Sequence, residues 1–67
     1  MLNFKKMYDH LLNNPPLFKD GTRRKGATVY SAFWNGYDGI KPGYIIFKSA
    51  AYYAWKAGEK YKQINKE

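Results

Sequence analysis

Apolar side chains fall at Leu2, Phe4, Met7, Tyr8, Leu11 and Leu12, spacings that gather most of them on one face of a helix. Lys5, Lys6 and Asp9 lie away from that face. The pattern predicts an amphipathic helix over about residues 2–12. Asn13-Asn14-Pro15-Pro16 ends it, because proline lacks the amide donor and disfavours a helical residue before it. A second periodic stretch spans about 27–38. Val29, Ala32, Phe33, Gly36 and Tyr37 share one side, Tyr30 lies at the edge, and Thr28, Ser31, Asn35 and Asp38 lie opposite. Gly39 is a natural stop. A third stretch spans about 50–64, with Ser49 as N-cap. It places Ala50, Ala54, Ala57, Gly58, Tyr61 and Ile64 on one face, and Lys56, Glu59, Lys60 and Gln63 on the other. The tail Asn65-Lys66-Glu67 is expected to fray.

The connections are less regular. Leu17 to Gly26 has no periodicity, and Asp20-Gly21 marks a turn. Tyr44-Ile45-Ile46-Phe47 fits either a short extended piece or an apolar lead-in to the third helix. The lack of a partner strand favours extended or irregular structure.

Two of the helices echo each other. Tyr30-x-Ala32-Phe33-x-x-Gly36 is repeated 22 residues later as Tyr52-x-Ala54-Trp55-x-x-Gly58. Ala and Gly four residues apart leave a smooth groove on a helix, and two such grooves allow close approach, with Phe33 and Trp55 closing the seam. Each glycine costs roughly 1 kcal/mol of helix propensity relative to alanine, so its place in both copies points to packing. The expected fold class is all-α. A small helical domain spans 1–67, an antiparallel helical hairpin (about 27–38 and 50–64) covered by the N-terminal amphipathic helix (about 2–12).

Composition changes what this fold is expected to do. The chain has 67 residues and no cysteine, so stability must come from apolar packing, with seven Tyr, four Phe and two Trp to provide it. Twelve Lys and Arg against five Asp and Glu give a formal charge of +7. A field of that strength attracts nucleic acid, anionic membrane or acidic protein. No apolar stretch approaches the roughly 20 residues needed to cross a bilayer, so no membrane insertion is expected. No apolar run follows Lys5 and Lys6, so no secretory signal is expected, and a cytoplasmic location is the default.

Catalytic patterns are lacking. His10 is the single histidine and has no cysteine to activate, and Asp9, Asp20, Asp38, Glu59 and Glu67 are scattered. None has the spacing of a metal-binding loop or helix face, and there is no glycine-rich phosphate loop. No enzyme activity, cofactor or metal is expected. Binding residues are better represented. Arg23-Arg24-Lys25, flanked by Gly21 and Gly26, is the densest cationic cluster; three adjacent cations in a loop must be solvated or bound to anions. They lie outside every expected core position, so their replacement is expected to leave the helices intact. Lys41 and Lys48 belong to the second connection, and Lys56, Lys60 and Lys62 to the last helix; the hairpin can bring Arg23–Lys25 near that helix's C-terminal half. Such a surface would track a phosphate backbone. Trp34 lies off the apolar face of its helix, where an exposed ring suits base stacking or a protein hot spot; the alternative packs it under the first helix.

The segment from about residue 21 to 62 resembles the ribosome modulation factor family of small basic bacterial and phage proteins. The resemblance rests on Ala32 to Gly36 and Ala54 to Gly58, with Pro42-Gly43-Tyr44 between them, where the family has Cys-Pro-Tyr. Gly21-Thr22-Arg23-Arg24-Lys25-Gly26 followed by Ala32-Phe33-Trp34-Asn35-Gly36-Tyr37-Asp38-Gly39 also looks like small proteins of tailed phages. The resemblance implies a helical hairpin that binds ribosomal RNA and represses translation. The expected partner is therefore ribosomal or other RNA, or alternatively an acidic surface of a host protein bound by a phage-type effector.

Overall fold

A computed structural model describes residues 3–65. Helix α1 runs Phe4–Asn13, α2 Thr28–Tyr37 and α3 Ala50–Ile64. The Asn3 side chain starts α1 by accepting from the Lys6 amide at 3.0 Å. Leu2 and the Lys66-Glu67 end of the tail lie outside the described residues. Helix α2 closes in a Schellman arrangement: the Gly39 amide donates to the Gly36 carbonyl, and the Ile40 amide to that of Asn35. Gly39 takes φ 78°, the left-handed value this cap requires. Ser49 caps α3 as expected, its Oγ accepting from the Tyr52 amide at 3.0 Å.

Helices α2 and α3 pack antiparallel through the Ala/Gly seam. A Cβ built on Gly36 would overlap the Trp55 carbonyl oxygen and lie 2.9 Å from the carbonyl carbon. One built on Gly58 would overlap the Phe33 carbonyl and lie 2.9 Å from the Tyr37 amide. The backbones therefore meet where the sequence echo removes both side chains. Ala32, Ala54 and Ala57 are fully buried beside the contact, and Phe33 is the largest fully buried side chain. Phe33, Trp34, Tyr37 and Tyr61 form an aromatic cluster with ring centroids 4.8–6.5 Å apart.

Helix α1 docks on α3 rather than lying evenly over the hairpin. Leu11 is its buried anchor, and Phe4 stacks on Tyr53 at 5.1 Å with planes 20° apart. Ile64, expected on the core face, is 62% exposed. It is the last residue of α3, one turn past the core-facing Tyr61. Tyr44–Phe47 is irregular: the Ile45 amide turns back to Pro42 and the Ser49 amide to Ile46. Ile45 alone of that run is buried.

The Leu17–Gly26 connection is more ordered than its sequence suggests. Leu17 and Arg23 pair as an antiparallel bridge, the Arg24 amide donates to the Pro16 carbonyl and the Phe18 amide to that of Thr22. Asp20 accepts from both the amide and the hydroxyl of Thr22, which lowers its carboxyl pKa; Gly21 supplies φ 89° at the tip. The result is a tight clasp. No helix among the described residues is long and apolar enough to cross a membrane.

Candidate functional site

The clasp delivers the basic triplet, but its three members do different work. Arg23 forks onto Asp38, with Nη1 donating to Oδ2 at 2.8 Å and Nη2 to Oδ1 at 3.0 Å. Its guanidinium also lies over the rings of Trp34, at 4.6 Å, and Tyr37, at 5.3 Å. Arg23 is thus part of the fold, which corrects the expectation that the triplet can be removed without touching the core. The planar fork suits this role, because it satisfies a carboxylate and stacks on a ring together. Arg24 lies over Phe18 and Tyr30, at 5.4 and 5.2 Å, with its charge facing solvent. The Lys25 side chain is exposed, while its carbonyl accepts from Ser31 Oγ at 2.6 Å and ties the clasp to the first turn of α2.

Trp34 is 4% exposed, not a surface platform. Its indole Nε1 donates to the Pro16 carbonyl at 3.0 Å, and Arg23 covers its ring. Burial is stable here because the one polar atom has its partner. The cover is the clasp, a segment without periodicity and hence invisible to a helical-wheel argument.

The other cations divide into two places. Lys62, on α3, lies 4.9 Å from the Tyr37 ring centroid, on the same ring that Arg23 approaches. Arg23, Lys25 and Lys62 all bear on Asp38. The Arg23 hydrogen bonds are the main reason its carboxyl is held below the usual range; burial opposes them, and the Coulombic fields of Arg23, Lys25 and Lys62 each add a smaller lowering. The same hydrogen bonds raise the Arg23 pKa. Lys56 and Lys60 line a groove with Tyr8, Glu59 and Gln63, between α1 and α3; Lys56 pairs with Glu59 at 3.4 Å. Glu59 and Gln63 also border the surface at Tyr37, Asp38 and Lys62, so the two groups adjoin across α3. Lys41 stands apart, over Trp55 at 5.7 Å. The arrangement therefore joins Arg23 and Lys62 at Tyr37, with Lys25 reaching Asp38 through its field and Lys56 and Lys60 adjacent, while Lys41 lies over Trp55 instead.

Among the described residues the carboxylates are already engaged. Asp9 pairs with Lys5, Asp38 with Arg23 and Glu59 with Lys56, while Asp20 holds Thr22. Arg24, Lys25, Lys60 and Lys62 enter none of these pairs, so the positive field is not cancelled locally. No group of three or more His, Cys, Asp or Glu among the described residues could hold a metal ion. Asp38 is the functional neighbour that sequence reasoning left out of the site. Nothing local marks it, since Arg23 and Asp38 are 15 residues apart. Comparison with protein-family models, with curated proteins and with solved structures finds no match to this chain.

The Arg23–Asp38 fork has a measurable pH signature. The folded Asp38 pKa lies below its unfolded value of about 3.9, so its stabilisation is complete above that value and is lost as pH falls through the folded pKa. At this exposure the pair is worth at most about 1 kcal/mol. The expected result is that Asp38→Asn lowers the melting temperature at pH 7 by a few degrees. The variant should then converge on the parent as pH drops below the folded Asp38 pKa. A constant gap across that range in a thermal circular-dichroism series would show that the fork contributes nothing pH-dependent.

Proposed function

We propose that this chain is a non-enzymatic RNA-binding protein, a ribosome-associated modulator of translation that grips phosphates through a composite basic surface. The observation that carries this reading is the convergence of Arg23 and Lys25 from the clasp with Lys62 from α3 around Tyr37 and Asp38. Cations brought together from distant parts of a chain make a patch rather than scattered solubilising charge, and a phosphate backbone is the polyanion that such a patch can follow. Arg24, supported on Phe18 and Tyr30, extends the patch along α2, and Lys56 and Lys60 extend it across α3. The sequence resemblance to ribosome modulation factors points to the same class of partner.

The test is a salt series on binding to ribosomal RNA fragments, read by fluorescence anisotropy. Lys25→Ala with Lys62→Ala should weaken binding strongly and lower the magnitude of the log–log salt slope by about 0.7–0.9 per lost phosphate contact. Arg24→Ala should add a similar decrement. These side chains are exposed, so the helical signal should stay at the parental level. Parental affinity in the Lys25/Lys62 variant would remove this surface from consideration. Failure of the parent to bind RNA, with retention of a protein from nuclease-treated lysate, would favour the acidic-protein alternative.

A further inference from the structure

A second surface lies at the opposite end of α3, and nothing in the basic patch uses it. Tyr52 and Trp55 are one turn apart on α3 and are half-buried. The second connection folds along them. Phe47 packs edge-on to Tyr52 at 5.0 Å, and the Ile40 carbonyl accepts from Trp55 Nε1 at 2.6 Å. These contacts leave much of the connection's apolar surface in solvent: Ile46 is 66% exposed, Phe47 68% and Ile40 54%. Lysines stand at both ends of the strip, Lys48 over Phe47 at 5.6 Å and Lys41 over Trp55 at 5.7 Å. Lys48 adopts φ 65°, a left-handed conformation costly for a residue with a Cβ. It sits in the turn that carries Phe47 outward.

We propose that this strip docks the protein on an anionic lipid surface, with Ile40, Ile46 and Phe47 entering the headgroup–acyl boundary and Lys41 and Lys48 meeting the lipid phosphates. Charge and side-chain chemistry select this occupant. Aliphatic Ile40 and Ile46 offer nothing to a nucleic acid, which binds through stacking rings and cations. A second copy of a chain of charge +7 is repelled where lysines flank the contact. A bilayer interface accepts protruding apolar side chains without a matching pocket, favours the half-buried Tyr and Trp beside them, and attracts lysines at its phosphates. Docking needs no spanning segment. Tyr52 and Lys62 are ten residues apart on α3, about 15 Å at 1.5 Å per residue, so lipid and the basic patch at Tyr37 can be engaged together.

The experiment is flotation of the full chain with vesicles of phosphatidylcholine containing 30–40% phosphatidylglycerol (~0.15 M salt), compared with phosphatidylcholine alone. The parent should float with the anionic vesicles only. Brominated acyl chains should quench emission from Trp55, while the buried Trp34 stays as an internal reference. Ile46→Ser with Phe47→Ser should reduce vesicle binding about tenfold or more, because both side chains lose apolar burial. Lys41→Gln with Lys48→Gln should also weaken it, whereas Lys25→Ala with Lys62→Ala should keep at least half of it. Three results would overturn the proposal: no flotation of the parent, parental flotation of the Ile46/Phe47 variant with its fold intact, or self-association through the strip in sedimentation equilibrium. None of them depends on whether the protein binds RNA.

Discussion

Gly58→Ala is expected to unfold the domain or to lower its melting temperature by well over ten degrees, although alanine is the better helix former. Two effects oppose each other. Alanine gains roughly 1 kcal/mol of helix propensity over glycine. Against that, its methyl would overlap the Phe33 carbonyl oxygen and lie 2.8 Å from the carbonyl carbon. The obstacle is the backbone of α2, which cannot rotate aside as a side chain could. The two helices must separate, loosening contacts at Ala32, Ala54 and Ala57, all without exposed surface. Overpacking costs about 1–3 kcal/mol where neighbours can adjust, and more where they cannot. A domain of this size holds only about 3–5 kcal/mol in total. Gly36→Ala meets the Trp55 carbonyl in the same way and should behave alike. The control is Gly43→Ala, where nothing lies within 4 Å and φ is ordinary, so its melting curve should match the parent. Cooperative parental melting of both seam variants by circular dichroism would show that the helices do not approach this closely in solution.

The seam was legible because it is written twice. A small residue four positions from another, repeated at the same offset in both helices, has a direct geometric meaning. The helix bounds came from apolar periodicity: α3 runs Ala50–Ile64 as that pattern predicts, and α2 is one residue shorter at each end. Ser49 and Gly39 were legible as caps for the same local reason. The site was only partly legible. Density picked out Arg23, Arg24 and Lys25, but density does not reveal that Arg23 is tied to Asp38 while Lys25 is free to face a ligand. That division depends on the clasp, whose backbone bonds join Pro16 to Arg24 and Phe18 to Thr22 without a periodic pattern. The meeting of Lys62 with Tyr37 was hidden for a similar reason. Lys62 sits one residue past the core-facing Tyr61, and only the antiparallel packing of α2 brings Tyr37 beneath it.

Trp34→Ala is expected to cost about 3–5 kcal/mol, the range for removing a large buried aromatic, and so to leave little folded protein at room temperature. Three supports go at once. The ring contacts to Phe33, Tyr37 and Tyr61 disappear. The Pro16 carbonyl loses one of its two donors and keeps the Arg24 amide, and Arg23 loses the indole beneath it. Trp34→Phe separates these terms, because it keeps an aromatic body and removes the indole N–H. Its cost should be about 0.5–1.5 kcal/mol, the range for one net hydrogen bond, because the Arg24 amide still donates to the Pro16 carbonyl, and the clasp should become more open to proteolysis near Lys19 and Arg23–Lys25. Arg23→Ala should be milder, about 1–2 kcal/mol, since it removes a partly exposed ion pair and a cation–π contact of roughly 0.5–1 kcal/mol each. The two positions touch, so their effects should not add: in a double-mutant cycle, Arg23→Ala should cost less in the Trp34→Phe background than in the parent. Full additivity in urea titrations would mean that Arg23 stabilises the fold through Asp38 and Tyr37 and not through the indole of Trp34. A cheap Trp34→Ala, within 1 kcal/mol of the parent, would instead show that the clasp does not close over the helices, and would return Trp34 to the surface as a candidate contact for RNA.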